Sequence, residues 1–207
     1  MVVLAPVLPH TLVTHGSRAL GFGIVLLSLV LLTGYGGMVS LCQLTFAGLG
    51  AYAMSHVGGA GGNPLGLVVA AALAGAVGAL VALPTLRLRG LYLALATLAF
   101  AQAMDTVFFT KVFGSGGSFE VARPRLPLLP RGDRSYLVEL AVAFGLAAAT
   151  LLAVRRGRLG RRLGAVDDSP AACATLGLSL PATKLLVFGA SAALAGIGGA
   201  LLVAVPG

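Results

Sequence analysis

The sequence predicts an all-α, polytopic helical membrane protein with about six apolar segments, one of them broken by glycines. Of its 207 residues, 58% are hydrophobic and only 10% are charged, whereas about a quarter of the residues are charged in a typical soluble domain. No Asp, Glu, Lys or Arg lies between Arg18 and Arg87, or between Lys184 and Gly207. Such stretches are typical of membrane spans, so a soluble globular protein and a disordered chain are both excluded.

The six segments follow one another through what we expect to be a single transmembrane domain, residues 1–207. Small residues three or four positions apart, such as Gly75 with Gly78 and Gly189 with Ala193, predict helices whose backbones pack closely. Pro64 suits the first turn of the third segment. The segments cover Ala19–Thr33, Met38–Val57, Leu65–Leu83, Gly90–Phe109, Ser135–Val154 and Lys184–Val205.

Basic residues orient the chain in the membrane. Five arginines lie between Arg155 and Arg162, and positive clusters beside spans stay in the cytoplasm. This places segment 155–184 in the cytoplasm and the loop 111–134 outside, although that loop also carries bases. The net charge of +8 then reflects topology and anionic lipid rather than nucleic acid, for which no recognition module is present.

The glycine-broken stretch is a candidate substrate pathway. Helix breaks at membrane depth need protein or a watery cavity to satisfy the backbone, and in transporters they mark substrate paths. A plain cytoplasmic turn between two helices is the alternative, and the sequence leaves both placements open. The candidate residues in this stretch are Gly34, Tyr35, Gly36, Gly37, Ser40 and Gln43.

Two further polar residues lie within an apolar segment. Gln102 and Asp105 are three positions apart, so one helix face presents both. An embedded carboxylate is a functional candidate, and we add both residues to the pathway. The alternative is that Asp105 simply pairs with Lys111 near the membrane surface.

Segment 155–184 contains signals for a short helix between two spans. Asp168 or Ser169 can cap a helix over residues 171–176 that ends at Gly177. Leu180 and Pro181 then turn the chain into the last span. Such a helix could dock into a soluble partner, whereas an ordinary basic loop is the alternative.

Catalytic and cofactor signatures are missing from the sequence. There is no phosphate-binding glycine loop followed by Lys and Ser or Thr, and the three histidines have no carboxylate at metal-ligand spacing. We therefore expect neither an enzyme nor a bound metal or cofactor.

Three stretches of the sequence form a recognisable set. They are Leu32–Gly37 with Val39–Leu41 and Gly50–Tyr52; Leu86–Ala94 with Thr97–Phe100; and Gly160–Asp168 with Ala171-Ala172, Leu176-Gly177, Lys184–Leu186 and Ala195–Leu201. Together they resemble the permease subunits of branched-chain amino-acid ABC importers, in particular the LivM-like branch, and the resemblance extends over nearly the whole chain in order. Departures include Met38, Cys42 and Gln102, and family members usually extend further, so we expect a truncated member.

This resemblance implies a multi-pass protein of a bacterial-type cytoplasmic (inner) membrane. Its partners would be a second permease subunit, in a homo- or heterodimer, cytosolic ATP-binding subunits that hydrolyse ATP, and a periplasmic or extracellular solute-binding protein. The alternatives are a self-contained secondary transporter or channel, or a non-transporting truncated remnant. The implied ATPase-coupling residues are Arg161, Arg162, Asp167, Asp168, Ala171, Ala172, Gly177, Leu180 and Pro181.

Overall fold

A computed structural model describes residues 10–58, 63–85, 88, 90–113, 133–168, 173 and 179–205. Helix α1 continues without interruption into a π-helical segment (Val30–Tyr35), and α4 continues through another (Met104–Phe109) into a last turn (Thr110–Phe113). The helices are α1 (His10–Leu29), α2 (Gln43–Val57), α3 (Leu65–Thr85), α4 (Leu91–Ala103), α5 (Asp133–Arg156), α6 (Arg158–Asp168) and α7 (Leu180–Val203).

The structure confirms the predicted all-α, polytopic architecture. Within the described residues, five helical stretches are long and apolar enough to cross a membrane: Thr11–Tyr35, Leu65–Pro84, Leu91–Val112, Arg134–Arg156 and Leu180–Val203. The remaining predicted segment, Met38–Val57, forms α2, whose 15 residues give a length of only about 22 Å. A bilayer core is about 30 Å thick, so α2 alone does not span it.

Helix α7 lies at the centre of the bundle, and its small residues allow the other helices to approach. A Cβ atom at Gly196 would contact Ala74, and one at Gly199 would overlap the backbone of Ala47 in α2. On α3, a Cβ at Gly75 would lie 3.2 Å from the Cβ of Ala193. The predicted close packing of small residues is therefore confirmed.

Contacts along the helices give their relative directions. Leu137 in α5 faces Gly16 of α1, and Phe144 further along α5 faces Gly23, so α1 and α5 run parallel. Along α7 the order is reversed, since Gly198 faces Val25 of α1 and the later Leu202 faces the earlier Gly21. Helix α7 therefore runs antiparallel to both. The end of the bundle where α1 and α5 finish and α7 begins, next to the arginine-rich residues 155–162, is called the basic end below.

Three predicted boundaries were wrong because they followed apolar residues alone. Helix α1 begins at His10 rather than Ala19, since polar residues there are accommodated within the helix; the Ser17 hydroxyl, for example, donates to the Val13 carbonyl at 2.9 Å. Helix α2 begins five residues after Met38, and α7 begins four residues before Lys184.

The predicted cap was Asp168 or Ser169, and the structure places Asp168 as the last residue of helix α6. Ser169 lies outside the described residues. Helix α6 nearly continues α5, with Gly157 between them, and a side chain at Gly160 would collide with the carbonyl of Arg155. The predicted helix over 171–176 and its end at Gly177 lie outside the described residues, except for Cys173, as does most of loop 111–134.

Candidate functional site

The chain turns sharply where α1 ends, at the predicted glycine break. The N–H of Gly36 donates to the Leu31 carbonyl and that of Met38 to the Leu32 carbonyl, both at 3.2 Å. Gly37 has a backbone φ of 59°, which residues other than glycine rarely adopt. A Cβ at Gly36 would meet the Leu32 carbonyl oxygen at 2.6 Å. Two of the predicted glycines are thus required by the turn itself.

After the turn, the chain returns alongside the helices without helical structure until α2 begins. The N–H of Leu41 donates to the Thr97 hydroxyl of α4 at 3.0 Å. That hydroxyl donates in turn to the Ala94 carbonyl at 3.0 Å. The Ser40 oxygen, which is buried, accepts from the Cys42 N–H at 3.4 Å. Protein side chains therefore satisfy two N–H groups of this non-helical backbone, which is the arrangement that a break at membrane depth requires.

Three buried polar side chains join the start of α2 to the bundle. The Gln43 amide donates through Nε2 to the Ser191 hydroxyl of α7 at 2.9 Å and accepts through Oε1 from the Ser28 hydroxyl of α1 at 3.3 Å. The Ser191 hydroxyl donates to the Ser28 carbonyl at 2.7 Å. We call Ser28, Gln43 and Ser191 the polar clamp. Because Ser28 lies about two helical turns before Tyr35, α2 begins inside the bundle and not at its end.

A groove of about 440 Å³ separates α2 from α4. One wall comes from the start of α2 and the residue stretch before it, and the other comes from α4 and its π-helical segment. Aliphatic side chains make up most of its surface, with a hydroxyl, an amide and a carboxylate among them. The lining residues are Leu41, Leu44, Thr45, Gly48, Leu98, Ala101, Gln102, Asp105 and Phe109.

Aromatic contacts hold α2 and α4 apart at the groove. The Phe109 ring lies over Gly48, where a Cβ would come within 2.6 Å of Cζ. Phe108 meets Tyr52 edge-on with ring centroids 5.3 Å apart, and Phe46 meets Phe100 at 6.2 Å. Gly48 thus leaves room for the ring that closes one end of the groove.

Gln102 and Asp105 both face this groove, as their spacing predicts. Both side chains are exposed, and Asp105 forms no ion pair with Lys111 or with any other part of the chain that the structure describes. Asp105 lies in the π-helical segment, where its carbonyl accepts from the Thr110 hydroxyl at 2.8 Å. Pairing with Lys111, the alternative interpretation of this residue, is therefore not what the structure shows.

The structure divides the predicted pathway residues into three groups. Gln102 and Asp105 line the groove; Ser40 and Gln43 lie behind it as buried hydrogen-bonding groups; and Gly34 to Gly37 form the turn, with Tyr35 packed against the core. Sequence reasoning missed Ser28, Thr97 and Ser191. Single hydroxyls in apolar helices usually bond to their own backbone, so no local signal marked them.

The predicted coupling residues lie at the basic end where the structure describes them. Arg161 and Arg162 are exposed on α6, beside the buried Leu163, and Asp167 and Asp168 end the helix. Leu180 and Pro181 open α7, as expected for the turn into the last span. Ala171, Ala172 and Gly177 lie outside the described residues.

Comparison with known proteins identifies relatives along most of the chain. Residues 16–207 match the family model described as branched-chain amino acid transport system / permease component. The high-affinity branched-chain amino acid transport system permease protein LivM of Escherichia coli (strain K12) is 31% identical over 214 residues, which cover 89% of this chain and 49% of that protein. LivM of Salmonella typhimurium (strain LT2) matches with the same identity and coverage.

The chain spans about half the length of the curated relatives that it matches. No solved structure matches it. The family model nevertheless covers most of the sequence, including the turn, the groove and the basic end. The chain belongs to the family of permease components of branched-chain amino acid transport systems.

Proposed function

We propose that this chain is a transmembrane permease subunit of an ATP-binding-cassette importer, which moves branched-chain or related amino acids across the cytoplasmic membrane. The observation that carries the proposal is the family match over residues 16–207. The named relatives belong to a branched-chain amino acid transport system. In this proposal the chain is not an enzyme, and a separate cytosolic subunit hydrolyses ATP.

The groove between α2 and α4 supports an amino acid as the substrate. Its volume of about 440 Å³ falls within the roughly 300–1,000 Å³ typical of small-molecule sites. Leu44 and Leu98 offer an aliphatic surface for a branched side chain, and Asp105 offers a carboxylate for an ammonium group. In a weakly polar setting a carboxylate attracts a cation more strongly than it does in water.

Exposure of α4 supports a second permease subunit as a partner. Only 11% of the Leu91–Val112 span is buried, compared with 56% of the Leu180–Val203 span. Leu95 and Leu98 on α4 are about half exposed. A second subunit against this face would close the groove from the side and complete a pathway, whereas lipid would cover the remaining apolar surface.

Helix α6 provides a route by which an ATPase subunit could drive the pathway. Leu163 is buried in the same apolar cluster as Leu31 of the π-helical segment and Leu151 of α5. A partner that pushed on α6 would therefore press on the end of α1, directly before the Gly36–Cys42 turn segment. A solute-binding protein would deliver the amino acid at the opposite end of the bundle.

Uptake of radiolabelled leucine by cells that lack their own branched-chain amino acid permeases tests the proposal. The chain is expressed in its full natural length with an ATPase subunit, a solute-binding protein and a second permease from the same genome. We expect uptake that vanishes when the ATPase carries a substitution of its phosphate-binding lysine. Uptake that survives this substitution but collapses with a protonophore would indicate a secondary transporter, and no uptake at all would indicate a non-transporting remnant.

The Asp105→Asn variant tests the groove itself. A hydrogen bond to a charged group contributes about 1.5–3 kcal/mol, so we expect uptake at limiting leucine to fall by about tenfold or more. Thr106→Val is the matched control, because Thr106 is adjacent but does not line the groove. Equal uptake by the Asp105 variant and this control would contradict the role assigned to the carboxylate.

A further inference from the structure

A second groove, of about 210 Å³, opens at the basic end of the bundle. It lies between α5, α6, α7 and the π-helical segment of α1. It shares no lining residue with the groove between α2 and α4. Most of its lining is aliphatic. The lining residues are Leu31, Val154, Leu159, Arg162, Leu163, Ser179, Ala182, Thr183, Leu186, Val187 and Ala190.

The polar groups of this groove lie together at the junction of α6 and α7. Arg162 lies on α6. Ser179 directly precedes α7, and Thr183 lies in the first turn of α7. The Thr183 hydroxyl donates to the Ser179 carbonyl at 3.1 Å, which leaves its oxygen lone pairs as acceptors. Among the described residues that line the groove, none is acidic. Arg162 is thus the charged group that an occupant would meet.

Charge around the groove favours an anion. Arg155, Arg156 and Arg161 are exposed close to Arg162 in the chain, and the Arg161 guanidinium donates to the Arg156 carbonyl at 3.4 Å. Clusters of this kind lie on the cytoplasmic side of membranes, where the leaflet is rich in anionic lipid. An arginine fork also matches the geometry of a phosphate group.

The aliphatic walls favour a hydrocarbon chain over a soluble ligand. Leu159 is 40% exposed and Leu186 is 53% exposed at the groove, and water would be a poor environment for both side chains. A free phosphate would leave these walls empty, whereas an acyl chain would cover them. A polar headgroup joined to a chain fits both halves of the groove.

We propose that this groove binds one anionic phospholipid, with its phosphate at Arg162 and an acyl chain against Leu159 and Leu186. The lipid bridges α6 and α7 and holds α6 against the membrane surface. The proposal does not depend on the transported substrate, so it stands whether or not the transport function is correct.

Thermal unfolding of the purified full-length chain in neutral detergent tests the site, with phosphatidylglycerol or phosphatidylcholine added. We expect phosphatidylglycerol to raise the midpoint for the wild type and for Arg156→Gln, which removes the same charge outside the groove. Arg162→Gln should bind phosphatidylglycerol about tenfold more weakly, because it loses charged hydrogen bonds to the phosphate. Native mass spectrometry should find one retained phosphatidylglycerol on the wild type.

Two further measurements distinguish a lipid site from diffuse attraction and from a simple anion site. Ala190→Leu narrows the groove while leaving Arg162 in place, and we expect it to lose the retained lipid but keep its midpoint in phosphatidylcholine. Inorganic phosphate alone should not raise the midpoint. Equal responses of Arg156→Gln and Arg162→Gln would overturn the proposal in favour of diffuse attraction, and a full response to inorganic phosphate would overturn it in favour of a simple anion site.

Discussion

Replacement of Gln43 and Ser191, singly and together, measures how strongly the polar clamp holds α2 in the bundle. Gln43→Met keeps the size and unbranched shape of the side chain and removes the 2.9 Å hydrogen bond to Ser191 and the weaker 3.3 Å contact with the Ser28 hydroxyl, whose single proton is shared with the Val25 carbonyl. The two serine hydroxyls retain backbone acceptors, namely the Val25 carbonyl for Ser28 and the Ser28 carbonyl for Ser191. With hydrogen bonds inside membrane proteins averaging about 0.6 kcal/mol, Gln43→Met should cost about 1 kcal/mol of unfolding free energy.

Ser191→Ala has a different effect, because it leaves the Gln43 Nε2 group without its buried acceptor. An unsatisfied buried donor costs about 1–3 kcal/mol, so this smaller truncation should destabilise more than Gln43→Met does. In the double variant no amide is left unpaired. The two changes should therefore cost about 1 kcal/mol less together than their sum.

Unfolding in mixed detergent micelles, with increasing dodecyl sulfate and far-ultraviolet circular dichroism as the signal, gives the four free energies. Thr33→Val is the control, since its exposed hydroxyl bonds only to the Leu29 carbonyl of its own helix, and it should change stability by less than about 0.5 kcal/mol. Additivity of the Gln43 and Ser191 changes to within about 0.3 kcal/mol would refute the clamp.

Three other substitutions follow from the packing and the backbone. Gly199→Ala places a Cβ against the Ala47 backbone and should cost about 1–3 kcal/mol in the same unfolding assay, whereas Gly145→Ala, with nothing within 4 Å, should be neutral or gain about 0.5–1 kcal/mol; similar losses for both would argue against close contact of α2 and α7. Thr97→Val leaves the Leu41 N–H unsatisfied, so amide exchange at Leu41 should accelerate by about fivefold or more, while Thr150→Val, exposed on α5, should leave it unchanged; unaltered exchange in the first variant would contradict the contact. Gly90→Ala forces an alanine to a φ of 56° before α4 and should lower the unfolding free energy by about 1–2 kcal/mol, which an unshifted thermal midpoint would disprove.

Hydropathy was sufficient to predict the five described stretches that are long and apolar enough to cross a membrane, but it did not distinguish α2, which is equally apolar and too short. The glycine turn was also predictable, since glycine at Gly37 marks a local backbone need that does not depend on the rest of the fold. The role of Gln43 was not, because its partner Ser191 lies 148 residues away. Serine in an apolar helix gives no sequence signal that distinguishes a clamp from an ordinary internal bond.

The groove was predicted only in part, and α6 was not predicted. The spacing of Gln102 and Asp105 placed both on one face, but only the fold brings that face opposite Gly48 and Leu44. At α6, arginines begin the helix and Asp168 ends it, which is the reverse of what a helix dipole favours. The acidic end was therefore interpreted as a helix start, whereas burial of Leu163 stabilises the helix despite its charges.

The polar clamp has a consequence for the order in which the helices reach their final positions. Ser28 precedes Gln43 in the chain, but Ser191 is synthesised 148 residues later, roughly 7–30 s at ordinary translation rates. During that interval the Gln43 amide has no acceptor on α7, and α2 is too short to span the membrane by itself. We infer that α2 reaches its final position only after α7 enters the membrane. Ribosome-bound chains that end before Ser191, with Cys173 replaced by serine, should therefore leave the thiol of Cys42, which is buried in the folded structure, open to thiol reagents, and protection of that thiol in such chains would contradict this order. In assembly as in stability, the position of α2 depends on α7.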